Sequence, residues 1–321
     1  DCSSGIHSHG SNHRFRRSSK REISGAQECQ ANANSFRIPC QGNRNKNNKQ
    51  DMIEVSVIVP VYNEEFNLVK TLPLLHDFNQ VIIVDSQSTD NTVQVAKEHN
   101  CDVYQFIWNG DYPKKKNWSL SNVQIKNSWV LFLDADEHIT PKFKIALKKA
   151  ITNKHYVGYK LNYTNFFLGK KLRFGEPMKK LALFRRECGA YAQPENNFKG
   201  DNYSGIEIHE HPVLNGKIGD IRAKILHQET KGLVHYISKH LEYAQWEAHN
   251  FQEGIVTSNF DIRSMIKYAA LKFWVTGWAY FIYIYWIRLG FLDGTAGYIF
   301  AKAKRTYFFQ IKSLIYEKNI S

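Results

Sequence analysis

The chain has 321 residues, 43% of them hydrophobic and 14% aromatic, with 43 Lys and Arg against 30 Asp and Glu for a net charge of +13. That length allows one large domain or two small ones. Five cysteines (Cys2, Cys29, Cys40, Cys101, Cys188) are odd in number and include no Cys-x-x-Cys pair, which argues against a disulfide scaffold or zinc knuckle and fits a reducing compartment.

Residues 1–50 are rich in Ser, Asn, Arg and Gly and hold few large apolar groups. They cannot bury enough surface to offset their ordering entropy and are expected to form a disordered basic tail. His7, His9 and His13 within them read as solvated side chains rather than a metal site. The charge sits at the ends: nine Lys/Arg against three Asp/Glu in residues 1–50, nine against three in 261–321, and 25 against 24 between. A non-catalytic adaptor for nucleic acid or membrane would use those tails. The middle shows no basic stripe with spaced aromatics, so no nucleic-acid partner is expected.

Val55 to Val59 run into Pro60, which predicts a strand that stops there. Asn63 is placed to cap a helix whose first turn holds Glu64 and Glu65. Val81 to Val84 form a second buried strand ending in Asp85, followed by a polar turn and a helix capped by Thr89 or Asp90 and running to about His99. Val130 to Leu133 form a third, ending in Asp134-Ala135-Asp136-Glu137. Carboxylates two residues apart repel unless a cation sits between them, and a hard divalent ion, Mg²⁺ or Mn²⁺, itself holding a phosphate, meets that need. The bland alternative is a turn in which Asp136 caps a helix from about Pro141. Strand, polar turn and helix in repetition predict an α/β fold with an open parallel sheet, whose ligands bind beyond the strands' carboxyl ends. Asn63, Asp85, Asp134 and Asp136 all fall there. No Gly-x-Gly-x-x-Gly or Walker sequence follows any strand, so the site lacks the dinucleotide and NTPase signatures.

From Tyr156 to Phe167 and from Lys180 to Arg185 broken alternation predicts antiparallel strands added to that sheet, with turns at Gly169 and Gly175. Ile206 to His211 gather ionisable groups after a short strand, either as a solvated loop or as part of the cleft. Neutral imidazole is a good ligand for divalent metal, so His209 or His227 could complete a site begun by Asp136. Residues 231–250 read as an amphipathic packing helix with Leu233, Val234, Ile237, Leu241, Ala244 and Ala248 inward. Phe273 to Ile287 carry no formal charge but are 15 residues, short of the roughly 20 that span a bilayer. Lys272 and Arg288 bracket them, and Phe291 to Ile315 mix aromatics with Lys302, Lys304, Arg305 and Lys312. Such a tail suits a membrane surface, or else packs on the catalytic domain or a partner subunit.

Three ordered motifs carry a family likeness. Val-Ile-Val-Pro-Val-Tyr-Asn-Glu-Glu (57–65), Ile-Val-Asp-Ser-Gln-Ser-Thr-Asp-Asn-Thr (83–92) and Leu-Asp-Ala-Asp-Glu (133–137) resemble family 2 glycosyltransferases of the GT-A fold. Lys115-Lys116-Asn117, Leu183-Phe184-Arg185-Arg186, His209-Glu210 and Arg288-Leu-Gly-Phe-Leu-Asp-Gly294 bring the resemblance closer to bacterial members that build lipopolysaccharide core or exopolysaccharide. The likeness covers residues 53–315. It implies a GT-A, Rossmann-like catalytic domain over 51–250, with a mixed, mostly parallel sheet, and membrane-associating helices over 251–321. The implied activity is inverting transfer of a hexosyl or heptosyl group from a nucleotide diphosphate sugar to a saccharide or lipid-linked acceptor, at the cytoplasmic face of a membrane. In that likeness Pro60, Tyr62, Asn63 and Glu64 line the nucleotide pocket and Asp85 holds base or ribose. Lys116 approaches the phosphates, Asp134 contacts the donor, Asp134 and Asp136 hold Mg²⁺ or Mn²⁺ with His209 assisting, and Glu210 is the catalytic base. A nucleotidyltransferase would need a Gly-rich basic loop after the first strand. A polyprenyl-phosphate sugar transferase of the same fold would need no protein base.

Overall fold

The computed structural model describes residues 52–109, 113–191, 212–252 and 269–320. The expectations for residues 1–50 and for the 206–211 loop, His209 and Glu210 included, lie outside the described residues.

Three continuous apolar runs make the centre of one sheet. β1 (Ile53–Val61) pairs in parallel with β2 (Phe78–Asp85) on one side and β4 (Trp129–Phe132) on the other, and β3 (Asp102–Gln105) pairs in parallel with β2. Val55, Val57, Val59 and Val61 face one core, and Ile58 faces the other, the alternation a pleated strand imposes. α1 (Glu65–Thr71), α2 (Thr92–Glu98) and α4 (Pro141–Ile151) cover the first face through Leu68, Val95, Phe143 and Leu147. α3 (Lys115–Asn122) covers the second beside Phe106 and Tyr191.

β1 does not stop at Pro60: it continues to Val61, with Pro60 paired in register to Val84. Pairing with β4 has already ended at Ile58–Phe132, and the Ile58 carbonyl accepts from Leu133 N on that side. Pro60 faces the same side as Ile58, so its missing N–H points where no strand lies and costs no ladder bond.

Beyond β4 the sheet turns antiparallel, as the broken alternation predicts. β8 (Lys179–Arg185) runs antiparallel to β4 and to β6 (Gly158–Phe167), and β11 (Ile218–Gln228) lies parallel to β6. The short β5 (Glu137–His138) pairs with the end of β11, and β7 (Lys170–Lys171) forms a hairpin with β6. Gly169 (φ 72) and Gly175 (φ 78) occupy the left-handed conformations their turns require. The path β3-β2-β1-β4-β8-β6-β11-β5 places successive crossovers on opposite sides of β1. The crevice between the carboxyl ends of β1 and β4 is therefore the switch point of the sheet. A separate pair, β9 (Gly189–Tyr191) and β10 (Pro212–Leu214), lies beside α3.

The chain then enters helices. α5 (Gly232–Gln252) buries Tyr236, Ala244, Glu247, Ala248 and Asn250. Val234, Ile237 and Leu241, expected inward, are exposed: the buried stripe is rotated so that Tyr236 packs edge-on against Phe167 of β6. α6 (Thr276–Ile282) continues through one π-helical turn, Tyr283–Ile287, and α7 (Gly294–Ile320) packs on both α5 and α6. The 288–294 segment is a clamp. Asp293 accepts from the backbone N–H of Arg173 (3.0 and 3.1 Å) and Phe174 (3.0 Å). Arg288 and Gly175 exchange bonds of 3.2 and 3.0 Å. A Cβ on Gly297 would stand 2.1 Å from the Gly290 carbonyl oxygen, so only glycine lets α7 start there.

Candidate active site

The loops after β1 and β2 are laced together by polar side chains. Asn63 takes a left-handed backbone (φ 52) and does not cap α1, whose preceding residue is Glu64 with no side-chain cap. Instead its N–H donates to Ser88 Oγ (2.9 Å) and its side-chain oxygen accepts from Thr89 N (2.8 Å). Asp90 does serve the start of α2, accepting from Thr92 N at 3.0 Å, while Thr92 Oγ1 accepts from Glu64 N at 2.8 Å. Asp85 is 1% exposed at the floor of this lattice. Its oxygens accept from Ser88 N (3.1 Å), Gln105 Nε2 (2.9 Å) and the Ser88 hydroxyl. Asp85 therefore acts from beneath, fixing Ser88 and through it Asn63. Pro60 is half-buried, and Tyr62 stands 55% exposed above the crevice. Glu64 is held by Asn67 Nδ2 (2.7 Å) and Lys231 Nζ (2.6 Å), which ties α1 to the turn before α5.

Across the crevice, the two carboxylates of the Asp134-Ala135-Asp136 turn are partnered separately. Lys180 of β8 donates to Asp134 Oδ2 (2.5 Å) and to Glu137 Oε1. Glu137, 1% exposed, also accepts from Asp134 N (3.2 Å) and Tyr163 Oη (3.4 Å). Asp136 lies 3.5 Å from His227 Nε2 at the end of β11. Asp136 makes no cap for α4; Thr140 does, accepting from Phe143 N at 3.2 Å. Thr71 Oγ1 donates to the Ala135 carbonyl (2.6 Å), anchoring the turn from α1.

The charges shape each group's protonation. Burial pushes Glu137 up to about 8, against the pull of Lys180. Desolvation works against ionised Asp134, yet the ammonium groups of Lys180 and Lys116 hold its carboxyl well below the usual range. Asp136 is raised by burial, which outweighs the opposing field of His227. Burial would lower Lys239 of α5, but Tyr243, then Asp134 and Asp136, raise it. Lys180 of β8 thus touches the carboxylate pair, while Lys116 of α3 and Lys239 of α5 act on it through their charge.

Of the residues singled out in the sequence, Pro60, Tyr62, Asn63, Glu64, Asp85, Lys116, Asp134, Asp136 and His227 all gather at the carboxyl ends of β1, β2 and β4 or beside them. Asn117, from the same motif as Lys116, is a structural group: it exchanges bonds of 2.8 and 2.9 Å with the Tyr191 backbone. Lys180, Lys239, Glu137 and Gln105 were not singled out. Only Glu137, adjacent to the carboxylate pair, carried a local signal.

Asp136 and His227 could together hold a divalent ion. They offer one hard oxygen and one imidazole nitrogen, each on a side chain about a quarter exposed to the crevice. Asp134 has one oxygen free of Lys180. Among the described residues no three His, Cys, Asp or Glu side chains form a closed metal cage.

Carboxylates and basic side chains gather at the switch point of an open α/β sheet, the place where such folds bind ligands. Residues 56–205 match the model of glycosyl transferase family 2, so over just under half of its length the chain is similar to that family. An uncharacterized glycosyltransferase of Rickettsia prowazekii is 24% identical over 260 residues, covering 79% of this chain and 85% of that protein. The poly(ribitol-phosphate) β-N-acetylglucosaminyltransferase TarS of Staphylococcus aureus is 36% identical over 99 residues, covering 27% of this chain and 17% of TarS. The solved structure of TarS residues 1–349 with UDP-GlcNAc aligns over 84% of this chain and 92% of that one, at 15% identity and a TM-score of 0.38.

Proposed function

We propose that this protein is a glycosyltransferase that moves a hexosyl or heptosyl group from a nucleotide diphosphate sugar to a saccharide or lipid-linked saccharide, with inversion. The observation that carries this reading is the convergence of Lys116, Lys180, Lys239 and His227 on Asp134 and Asp136 at the switch point. Carboxylates that can ligate a divalent ion, with ammonium groups near enough to meet phosphate oxygens, suit a metal-bound diphosphate.

The nucleoside lies over β1 and β2. Tyr62 and Asn63 form its wall, and Asp85 holds the Ser88 turn beneath it. Asp136 and His227, with the free oxygen of Asp134, are the groups that would hold Mg²⁺ or Mn²⁺. The chemistry that a bound ion supplies is Lewis-acid stabilisation of the leaving diphosphate. Lys116 and Lys239 add positive field to the same oxygens, and Lys180 keeps Asp134 ionised and oriented. Glu210 takes the proton of the acceptor hydroxyl as that oxygen attacks the anomeric carbon. The new C–O bond forms as the bond to the diphosphate breaks, so configuration inverts in a single displacement. The motif set supports an acceptor of the lipopolysaccharide-core or exopolysaccharide type, used at the cytoplasmic face of a membrane.

A panel of nucleotide sugars tests the donor reading by thermal stabilisation and by hydrolysis with and without chelator. One donor should stabilise the chain only with Mg²⁺ or Mn²⁺; stabilisation by none of them overturns it. Glu210→Gln should lower transfer by about 10²-fold, the scale of general base catalysis, with donor binding unchanged. Full activity in that variant favours a phosphate acceptor, such as a polyprenyl phosphate, which needs no base.

A further inference from the structure

The helices after residue 268 leave a large apolar surface uncovered. Trp274, Trp278, Ile282 and Trp286 recur every fourth residue, which puts them on one side of α6 and the turns flanking it. Each stays about half exposed, at 53, 53, 49 and 57%. The opposite side, with Gly277 and Ile284, is buried against α7 and the clamp. The surface continues through ring contacts: Trp274 meets Phe309 and Tyr316 of α7, and Trp286 meets Phe291.

Its charges are mostly positive. Residues 269–320 contain seven Lys/Arg and two Asp/Glu. Asp293 is engaged by backbone N–H groups in the clamp. The cations lie on the aromatic surface itself. The Arg305 guanidinium sits 3.4 Å from the Trp278 ring centre, Lys312 Nζ 5.7 Å from that of Trp274, and Lys302 Nζ 5.7 Å from that of Tyr298. No helix among the described residues is long and apolar enough to cross a membrane. A second copy docked face to face would set the patch of Arg305, Lys302 and Lys312 against an equally cationic patch, a like-charge contact that disfavours a dimer here.

We propose that this face binds the surface of an anionic phospholipid bilayer. Trp274, Trp278 and Trp286 sit at headgroup depth, where their amphipathic rings are favoured, and Lys302, Arg305 and Lys312 meet lipid phosphates. The helices lie on the bilayer without spanning it. The proposal deepens the lipid-linked acceptor reading by assigning the residues that hold the enzyme at its acceptor, and its test needs neither donor nor acceptor.

The experiment is co-sedimentation of the full chain with vesicles of phosphatidylcholine alone and of phosphatidylcholine with phosphatidylglycerol. Binding should be stronger to the anionic vesicles, with a blue shift of tryptophan emission. Trp278→Ser with Trp286→Ser should weaken binding by about tenfold or more, through lost interfacial burial. Lys302→Glu with Lys312→Glu should weaken it by at least about fivefold per cation replaced and remove most of its salt sensitivity. Circular dichroism confirms that each variant is folded, and donor-dependent stabilisation, read separately, reports on the glycosyltransferase assignment. Equal binding to both vesicles, unchanged binding by the folded tryptophan variant, or a dimer that forms through this face without vesicle binding overturns the proposal.

Discussion

The two ends of this molecule handle charge in opposite ways. At the switch point several carboxylates are paired with basic side chains: Asp134 and Glu137 share Lys180, Asp136 lies beside the His227 imidazole, and Glu64 holds Lys231. On the C-terminal helices Arg305, Lys312 and Lys302 lie over indole and phenol rings. The first arrangement is closed and preorganised, suited to a ligand that exchanges with internal partners. The second is open and mostly positive, suited to a surface that supplies anions. The lesson is that net charge says little until each cation's partner is known.

The sharpest way to break this contrast is at Asp136. Asp136→Ala removes one side of the pair with His227 and should lower transfer by about 10²- to 10³-fold, the scale for losing one preorganised electrostatic group. Donor stabilisation by Mn²⁺ or Mg²⁺ should fall with it, while vesicle binding stays unchanged. Full transfer by the Asp136 variant in the presence of a chelator would remove the metal from the mechanism.

A middle-sized effect tests the joint between the regions. Asp293 accepts three bonds from two backbone N–H groups of the β7–β8 loop. Hydrogen bonds to a charged group contribute about 1.5–3 kcal/mol. Asp293→Ala should therefore cost about that much in thermal or denaturant unfolding and speed proteolysis near Arg173. Donor affinity should hold, because the clamp's bonds to Arg173, Phe174 and Gly175 lie outside the crevice. Loss of donor binding would show that the helices support the catalytic sheet directly.

What the sequence disclosed follows the range of each interaction. β1, β2 and β4 are legible because strands buried on both faces must be apolar throughout, and their polar ends are therefore conspicuous. The turns at Gly169 and Gly175 are legible because local backbone geometry demands glycine. Lys180 was not legible. It reaches Asp134 only because β8 returns antiparallel beside β4, a pairing between residues 46 apart. Lys239 arrives from α5 by a longer route, and Gln105 reaches Asp85 only through the β2–β3 register. Asn63 shows the converse failure: an Asn before two Glu is a good helix-cap signal, yet the tertiary bond to Thr89 took its side chain. The stripe on α5 was misplaced because Val234, Ile237 and Leu241 are apolar but the groove beside Phe167 accepts Tyr236.

The smallest expected effect concerns His240, inside the helical region. Its ring stacks on Tyr236 at 3.9 Å and lies edge-on to Tyr307, with Tyr243 adjacent. Burial pushes the imidazole from 6.5 down to about 4. The charges of Lys304 and Lys239 add to this, and the Tyr236 carbonyl and Glu176 oppose it. A histidine depressed in the folded state binds fewer protons there than in the unfolded chain. Its contribution to stability is therefore fully present above pH about 6.5, declines as pH falls, and is gone by about 4. Allowing for the partial exposure of the ring, this amounts to about 1–2 kcal/mol. His240→Gln removes the titration, so the stability difference between wild type and variant should shrink in wild type's disfavour across that window and stay flat above pH about 7. Thermal unfolding followed from about pH 7.5 to 4 checks it. A difference that does not change with pH would mean that the ring takes up its proton without cost, and that the helical region is as open inside as it is on its aromatic face.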